Sequence, residues 1–168
     1  MSIDFLELLN DYNDNFCNKK CYLFTNYKNE QFEVSFNVID LYHLFGIHKI
    51  CNIHATKWVE LVKCEKFSLL DYKSDYLKEV IPRIDSYYFL KEVFLKNSVN
   101  TLILGKDLKG NTMNLNIVFV DENNDNMYVV LGLRKDNRNK YRPVTLHVSR
   151  YNKYKKYRKT KIKSIEWI

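Results

Sequence analysis

The feature that most narrows the fold of this chain is a change of hydrophobic period near Asn97. Before it, apolar residues recur every three or four positions, as along one helix face; after it they alternate or run in short blocks, as in strands. Five strands are predicted in the second part, at 101–106, 112–121, 126–134, 141–150 and 160–168, with polar connections at 107–111, 122–125 and 135–140. Connections this short favour an antiparallel meander. Residues 127–133 are nearly all apolar, which fits a central strand covered on both sides. In the next strand, Val144, Leu146 and Val148 are expected on one face, and Thr145, His147 and Ser149 on the other, one face for packing and one for chemistry.

The first hundred residues read as mainly helical with one hairpin. A short amphipathic helix over 3–10 carries Phe5, Leu6, Leu8 and Leu9. Segments 21–27 and 31–37 flank Lys28-Asn29-Glu30, and Phe32, Val34 and Phe36 alternate with Glu33 and Ser35, the pattern of a hairpin with one buried face. Asn37 stands where it can cap the next helix, with the carboxylate of Asp40 in the first turn. Helices over 54–66 and 74–80 follow, then Pro82 interrupts, and a further helix runs from Ile84 to about Lys96. The fold class expected is α+β, an N-terminal hairpin and helices packed on a C-terminal antiparallel sheet. A length of 168 residues suits one domain, with 1–20 as a helical extension of the unit 21–168.

Charge is distributed unevenly. From Tyr128 onward thirteen lysines and arginines stand against Asp136 and Glu166, whereas the preceding residues hold fourteen against eighteen acids. A polyanion would therefore meet one end of the molecule. Arg142, Arg150, Lys153, Lys155, Lys156 and Arg158 are candidates for phosphate contacts, with Lys49 as a further one, and Tyr151 and Tyr154 are interleaved where rings stack on unpaired bases or pack on the sheet. The N-terminus has neither a basic nor a sustained apolar region, and no run approaches a membrane span, so a cytoplasmic location and no membrane partner are expected.

The segment LYHLFGIHKI, 41–50, holds two of the four histidines. On an unbroken helix, His43 and His48 would point about 140° apart, too far to act together. Gly46 lies between them, and a helix that breaks there lets the second ring swing back. Two imidazoles so placed serve as proton donor and acceptor near neutral pH. A zinc site can be drawn from Cys17, Cys21, His48, Cys51 and His54, but no CxxC occurs and nothing in the sequence joins the two groups, so neither metal nor cofactor is expected. Phosphate-binding glycine loops, a nucleophile elbow and a zinc-protease helix are absent, and the acids form no clustered set of the kind two-metal nucleases use.

The run FNVIDLYHLFGIHKI, 36–50, resembles the HLLGLHKL-like signature of phage nucleases grouped with barnase, EndoU, colicin and RelE-like RNases, the BECR superfamily, and specifically their fourth phage class. Pro82-Arg83-Ile84-Asp85-Ser86-Tyr87-Tyr88-Phe89-Leu90, the strand 127–134 and YRPVTLHVSR at 141–150 resemble further blocks in the same order. The resemblance runs from about Cys21 to Ile168. It implies a BECR-like fold and metal-independent endoribonuclease activity. His43, Gly46 and His48 match the motif, and Thr145 takes the polar position after Pro143-Val144. Arg134 and His147 are added on charge and strand parity, although His147 stands where relatives are expected to carry an apolar or aromatic residue.

The function expected is therefore an endoribonuclease of phage or mobile-element origin, acting as a toxin or host-takeover factor. His43 and His48 would supply acid/base chemistry, Arg134 would stabilise phosphate charge, Thr145 would orient the scissile group, and His147 would join them. RNA, single-stranded or structured such as tRNA, is the expected partner, with an antitoxin or inhibitor protein as a second. A non-catalytic RNA- or DNA-binding module and a phage protein-interaction factor are the alternatives.

Overall fold

A computed structural model describes residues 2–122 and 127–168. These residues form five α-helices, four short 3-10 turns and seven strands, the helices and strands being α1 (Phe5–Phe16), β1 (Cys21–Thr25), β2 (Gln31–Val34), α2 (Asp40–Leu44), α3 (Ala55–Lys63), α4 (Leu77–Asp85), α5 (Tyr88–Phe94), β3 (Thr101–Leu104), β4 (Ile117–Asp121), β5 (Tyr128–Lys135), β6 (Tyr141–Ser149) and β7 (Thr160–Trp167). The α+β class is as expected. Asn126, the first residue of the expected third strand, and 123–125 of the connection before it lie outside the described residues.

The strands close in the order β1-β2-β6-β5-β4-β3-β7. β3 to β6 form the antiparallel meander, and β5 lies between β4 and β6 as its apolar run requires. β7 then returns beside β3 and β1, so the hairpin of β1 and β2 joins the sheet through the last strand. β2 meets β6 only where Val34 lies opposite Tyr141, in parallel. Beyond Tyr141 the edge of β6 is covered by α2 and α4 instead of a strand. That placement brings the helical half of the chain to the basic half.

α1 begins at Asp4, whose side chain accepts from the Glu7 N–H at 2.9 Å, and it runs six residues past the expected end. Tyr12 and Phe16 continue the stripe begun by Phe5 and Leu9, and burying all four against the main core outweighs the weak helix propensity of the asparagines between them. The segment 112–116, expected as strand, is instead a turn, because the Asn111 side chain bonds both the N–H and the carbonyl of Leu115. Pro82 does not separate two helices. It sits inside α4, where its ring removes a partner only from the carbonyl of exposed Lys78, and the break comes between Asp85 and Tyr88.

The expected common face of Val144, Leu146 and Val148 is split by a bulge. Thr145 pairs with Gly132 and Pro143 with Leu133, which leaves Val144 as an extra residue in β6. Leu146 and Val148 pack on the main core, while Val144 joins a second, smaller cluster around Ile103, Leu115, Val118, Val130 and Tyr154. The face carrying Thr145 is thus covered rather than open. No helix among the described residues is long and apolar enough to cross a membrane.

Candidate active site

The histidine segment folds as the glycine demands. The Asn37 side chain accepts from Ile39 N–H at 3.1 Å while Asp40 accepts from Asn37 N–H at 2.8 Å, a reciprocal pair of bonds that orders the turn leading into α2. Leu41, Leu44 and Phe45 are fully buried beneath it. Gly46 then adopts φ +72°, the left-handed conformation that ends a helix, and Ile47–Lys49 make a single 3-10 turn in a new direction. The rings of His43 and His48 end 5.7 Å apart between centroids, with their planes at 42°. Tyr42 backs both rings, at 5.1 Å and 6.2 Å, and its hydroxyl is tied to the carbonyls of Cys51 and Ile53.

Arg83 of α4 lies over this turn. A Cβ at position 46 would stand 3.4 Å from its Cδ and 3.6 Å from its Cζ, ordinary contact distances, so it is the positive φ rather than lack of space that calls for glycine. Among the described residues the Arg83 guanidinium makes neither a hydrogen bond nor an ion pair. The nearby Glu79 is taken by Lys49, whose ammonium also lies 5.8 Å from the Tyr76 ring centre. Partial burial lowers the His48 pKa below that of a free imidazole, and the charges of His43, Arg83 and Lys49 lower it further.

β6 supplies the next wall. Thr145 is buried against Gly132 and Leu115, and its Oγ1 lies 3.3 Å from His147 Nδ1. Burial, then the charges of Lys153, Arg83 and Lys49, push the His147 imidazole down to about 4. His48 and His147 therefore share Arg83 and Lys49 as charged neighbours.

His43 also borders a cleft of about 360 Å³ shared with Arg134, Arg142, Pro143 and the bulged Val144. Arg142 donates to the buried Asp40 carboxylate at 2.7 Å, and Tyr12 donates to the same group at 2.9 Å, which fixes the arginine at the cleft wall. Burial raises the Asp40 pKa, although the Asn37 N–H and Arg142 act against the shift. Arg134 lies opposite Arg142 across the strand pair and donates to the Met113 carbonyl.

The tail does not gather at this site as a unit. Tyr151 is 82% exposed, whereas Tyr154 is 7% exposed and belongs to the second apolar cluster. Lys153 is close enough to act on His147. Arg158 stacks over the Tyr27 ring, 5.0 Å from its centre, and Lys156 lies 5.5 Å from the centre of Tyr157. Lys155 acts on Glu122, and Arg150 is exposed at the end of β6. Arg83, Tyr42 and Asp40 are missing from the sequence-based site. Arg83 could have been noticed as a cation beside the apolar stripe of its helix, but nothing local reveals that it faces residues nearly forty positions earlier. Among the described residues no group of three or more His, Cys, Asp or Glu stands close enough to hold a metal ion.

Curated proteins and solved structures provide no match to this chain. A family model does, over residues 4–167, nearly the whole chain and including α1. The chain belongs to the family of phage-Barnase-EndoU-ColicinE5/D-RelE like nucleases, in its fourth class.

Proposed function

We propose that this nuclease is a metal-independent endoribonuclease that cleaves by attack of the substrate's own 2′-OH. The observation that carries this reading is the approach of His43 and His48 across Gly46, with Arg83 over that glycine and Arg134 and Arg142 in the cleft that His43 lines. His48, held below the ordinary imidazole pKa, is the neutral ring at neutral pH and accepts the 2′-OH proton. The 2′-oxygen then forms a bond to phosphorus as the bond from phosphorus to the 5′-oxygen breaks. His43 gives its proton to that leaving oxygen. The products are a 2′,3′-cyclic phosphate and a free 5′-hydroxyl, and imidazoles and guanidiniums supply every group the step needs.

The remaining residues hold the chain. Arg134 and Arg142 take a phosphate in the cleft beside His43. Thr145 and His147, hydrogen-bonded to each other, form the wall that sets the depth of the site. Lys49, Arg150, Tyr151, Lys153, Lys155, Lys156 and Arg158 guide the flanking RNA, with Tyr151 as its exposed stacking ring, while Tyr154 acts by holding the tail in place. Such an enzyme acts in the cytoplasm as a phage or mobile-element toxin on single-stranded or structured RNA, under the restraint of an inhibitor protein.

Cleavage of a single-stranded RNA and of the matching DNA, both in EDTA, tests the reading. RNA is expected to yield cyclic-phosphate ends and DNA none, and His43→Ala and His48→Ala should each lower the rate on the order of 100-fold or more. Unchanged cleavage by both variants, or equal cleavage of DNA, would exclude this mechanism. Binding of RNA without any product would favour a binding module instead.

A further inference from the structure

We infer that Arg83 binds the scissile phosphate and stabilises the charge that develops on it; the inference rests on the reading above and adds a catalytic residue to it. A guanidinium has five N–H donors, and one drawn partly out of water ordinarily finds a carboxylate or carbonyl to receive them. Arg83 is half-buried, and burial opposes its charge, yet among the described residues its guanidinium has no hydrogen-bond or ion-pair partner. Glu79, the acid whose charge it feels, is engaged by Lys49.

Its surroundings make the lack of a partner more telling. The guanidinium lies over Gly46, at the turn between the two catalytic histidines, and its charge is felt by both His48 and His147. Lys49 is balanced by Glu79, so the charge of Arg83 beside the two imidazoles is left without a carboxylate of its own. The counterpart that chemistry calls for is an anion. A phosphodiester presents two non-bridging oxygens to a planar fork of donors, and these oxygens gain negative charge as the 2′-oxygen attacks. Attraction to Arg83 therefore grows toward the transition state, so its loss should fall on kcat rather than on KM. The cleft of His43, Arg134 and Arg142, which Arg83 does not line, is left for the neighbouring phosphate.

Two measurements decide this. In cleavage of a single-stranded RNA, Arg83→Gln should lower kcat on the order of 100- to 1000-fold with little change in KM, and Arg83→Lys should recover part of the loss because charge returns without the fork. Separately, histidine NMR resonances of the unaltered protein are followed as inorganic phosphate is added. His48 should shift in a saturable manner, and Arg83→Gln should abolish the shift. A wild-type His48 that does not respond to phosphate overturns the inference without need of any variant, as does Arg83→Gln with wild-type kcat. If the wild type fails to cut RNA but phosphate still moves His48 through Arg83, the anion site stands and the endoribonuclease reading falls. If RNA is cut equally well without Arg83, the reverse holds.

Discussion

Arg142 of β6 donates to the carboxylate of Asp40, 2.7 Å away and 3% exposed, so one buried acid in α2 sets the position of an arginine in the cleft. Tyr12 of α1 donates to the same carboxylate, which links the first helix to the site. Removing the acid leaves the arginine unpaired at a partly buried place. Asp40→Ala is expected to cost about 3 kcal/mol, and Tyr12→Phe, which removes one neutral donor, about 1 kcal/mol. Urea unfolding of the three proteins checks the order. Asp40→Ala should also weaken RNA binding more than Tyr12→Phe does, and equal binding by both would mean that Arg142 needs no anchor.

Gly46 is called for by its positive φ, and two substitutions separate that demand from the room a longer side chain would take under Arg83. Gly46→Ala forces a Cβ onto a backbone at φ +72°, so stability should fall by about 1–2 kcal/mol, while its 3.4 Å approach to Arg83 Cδ is an ordinary contact. Gly46→Asn tolerates the backbone conformation better but fills the space under Arg83. It should keep more of the stability than Gly46→Ala and lose at least as much cleavage. Denaturant midpoints beside cleavage rates test this, and an asparagine variant with full activity would show that Arg83 does not need that space.

The parts of this molecule legible in its sequence are those decided by neighbours along the chain. The switch near Asn97 shows helices before strands; Asn37 and Asp40 mark the start of α2; Gly46 marks its end and so the meeting of His43 with His48. What was hidden depends on distant contacts. The bulge at Val144 leaves no local signature, because it is a mismatch between β5 and β6 rather than a property of either. Arg83 reaches Gly46 only once α4 has docked. Tyr151 and Tyr154 look alike in the tail, and only the closing of the sheet decides which is buried.

Those two tyrosines make a paired test of the tail. Tyr154→Ala removes a ring packed with Ile103, Leu115, Val118 and Val130, and should cost about 3 kcal/mol. Tyr151→Ala touches an exposed ring and should change stability by less than about 0.5 kcal/mol. If the exposed ring stacks on RNA, its removal should raise the Kd for a single-stranded oligonucleotide on the order of tenfold. Thermal melts and a binding titration read the two effects, and a Tyr151→Ala protein that binds as tightly as wild type would remove that ring from the RNA path.

His147 makes stability depend on pH in a defined direction. Its folded-state pKa is pushed down to about 4, chiefly by burial, whereas an unfolded chain protonates histidine near 6.5. Between these values the unfolded state binds the extra proton and the folded state does not. Stability from this residue is therefore full above about pH 6.5, declines as pH falls through the window, and is lost near pH 4. The shift corresponds to on the order of 3 kcal/mol. His147→Gln retains a polar neighbour for Thr145 but cannot titrate, so its unfolding free energy should fall less between pH 7 and 4 than that of the wild type. Carboxylates that titrate near the lower end are common to both proteins and cancel in the comparison. Parallel curves for the two would show that His147 is not held neutral by its surroundings, and would remove the buried neutral imidazole from the wall of the site.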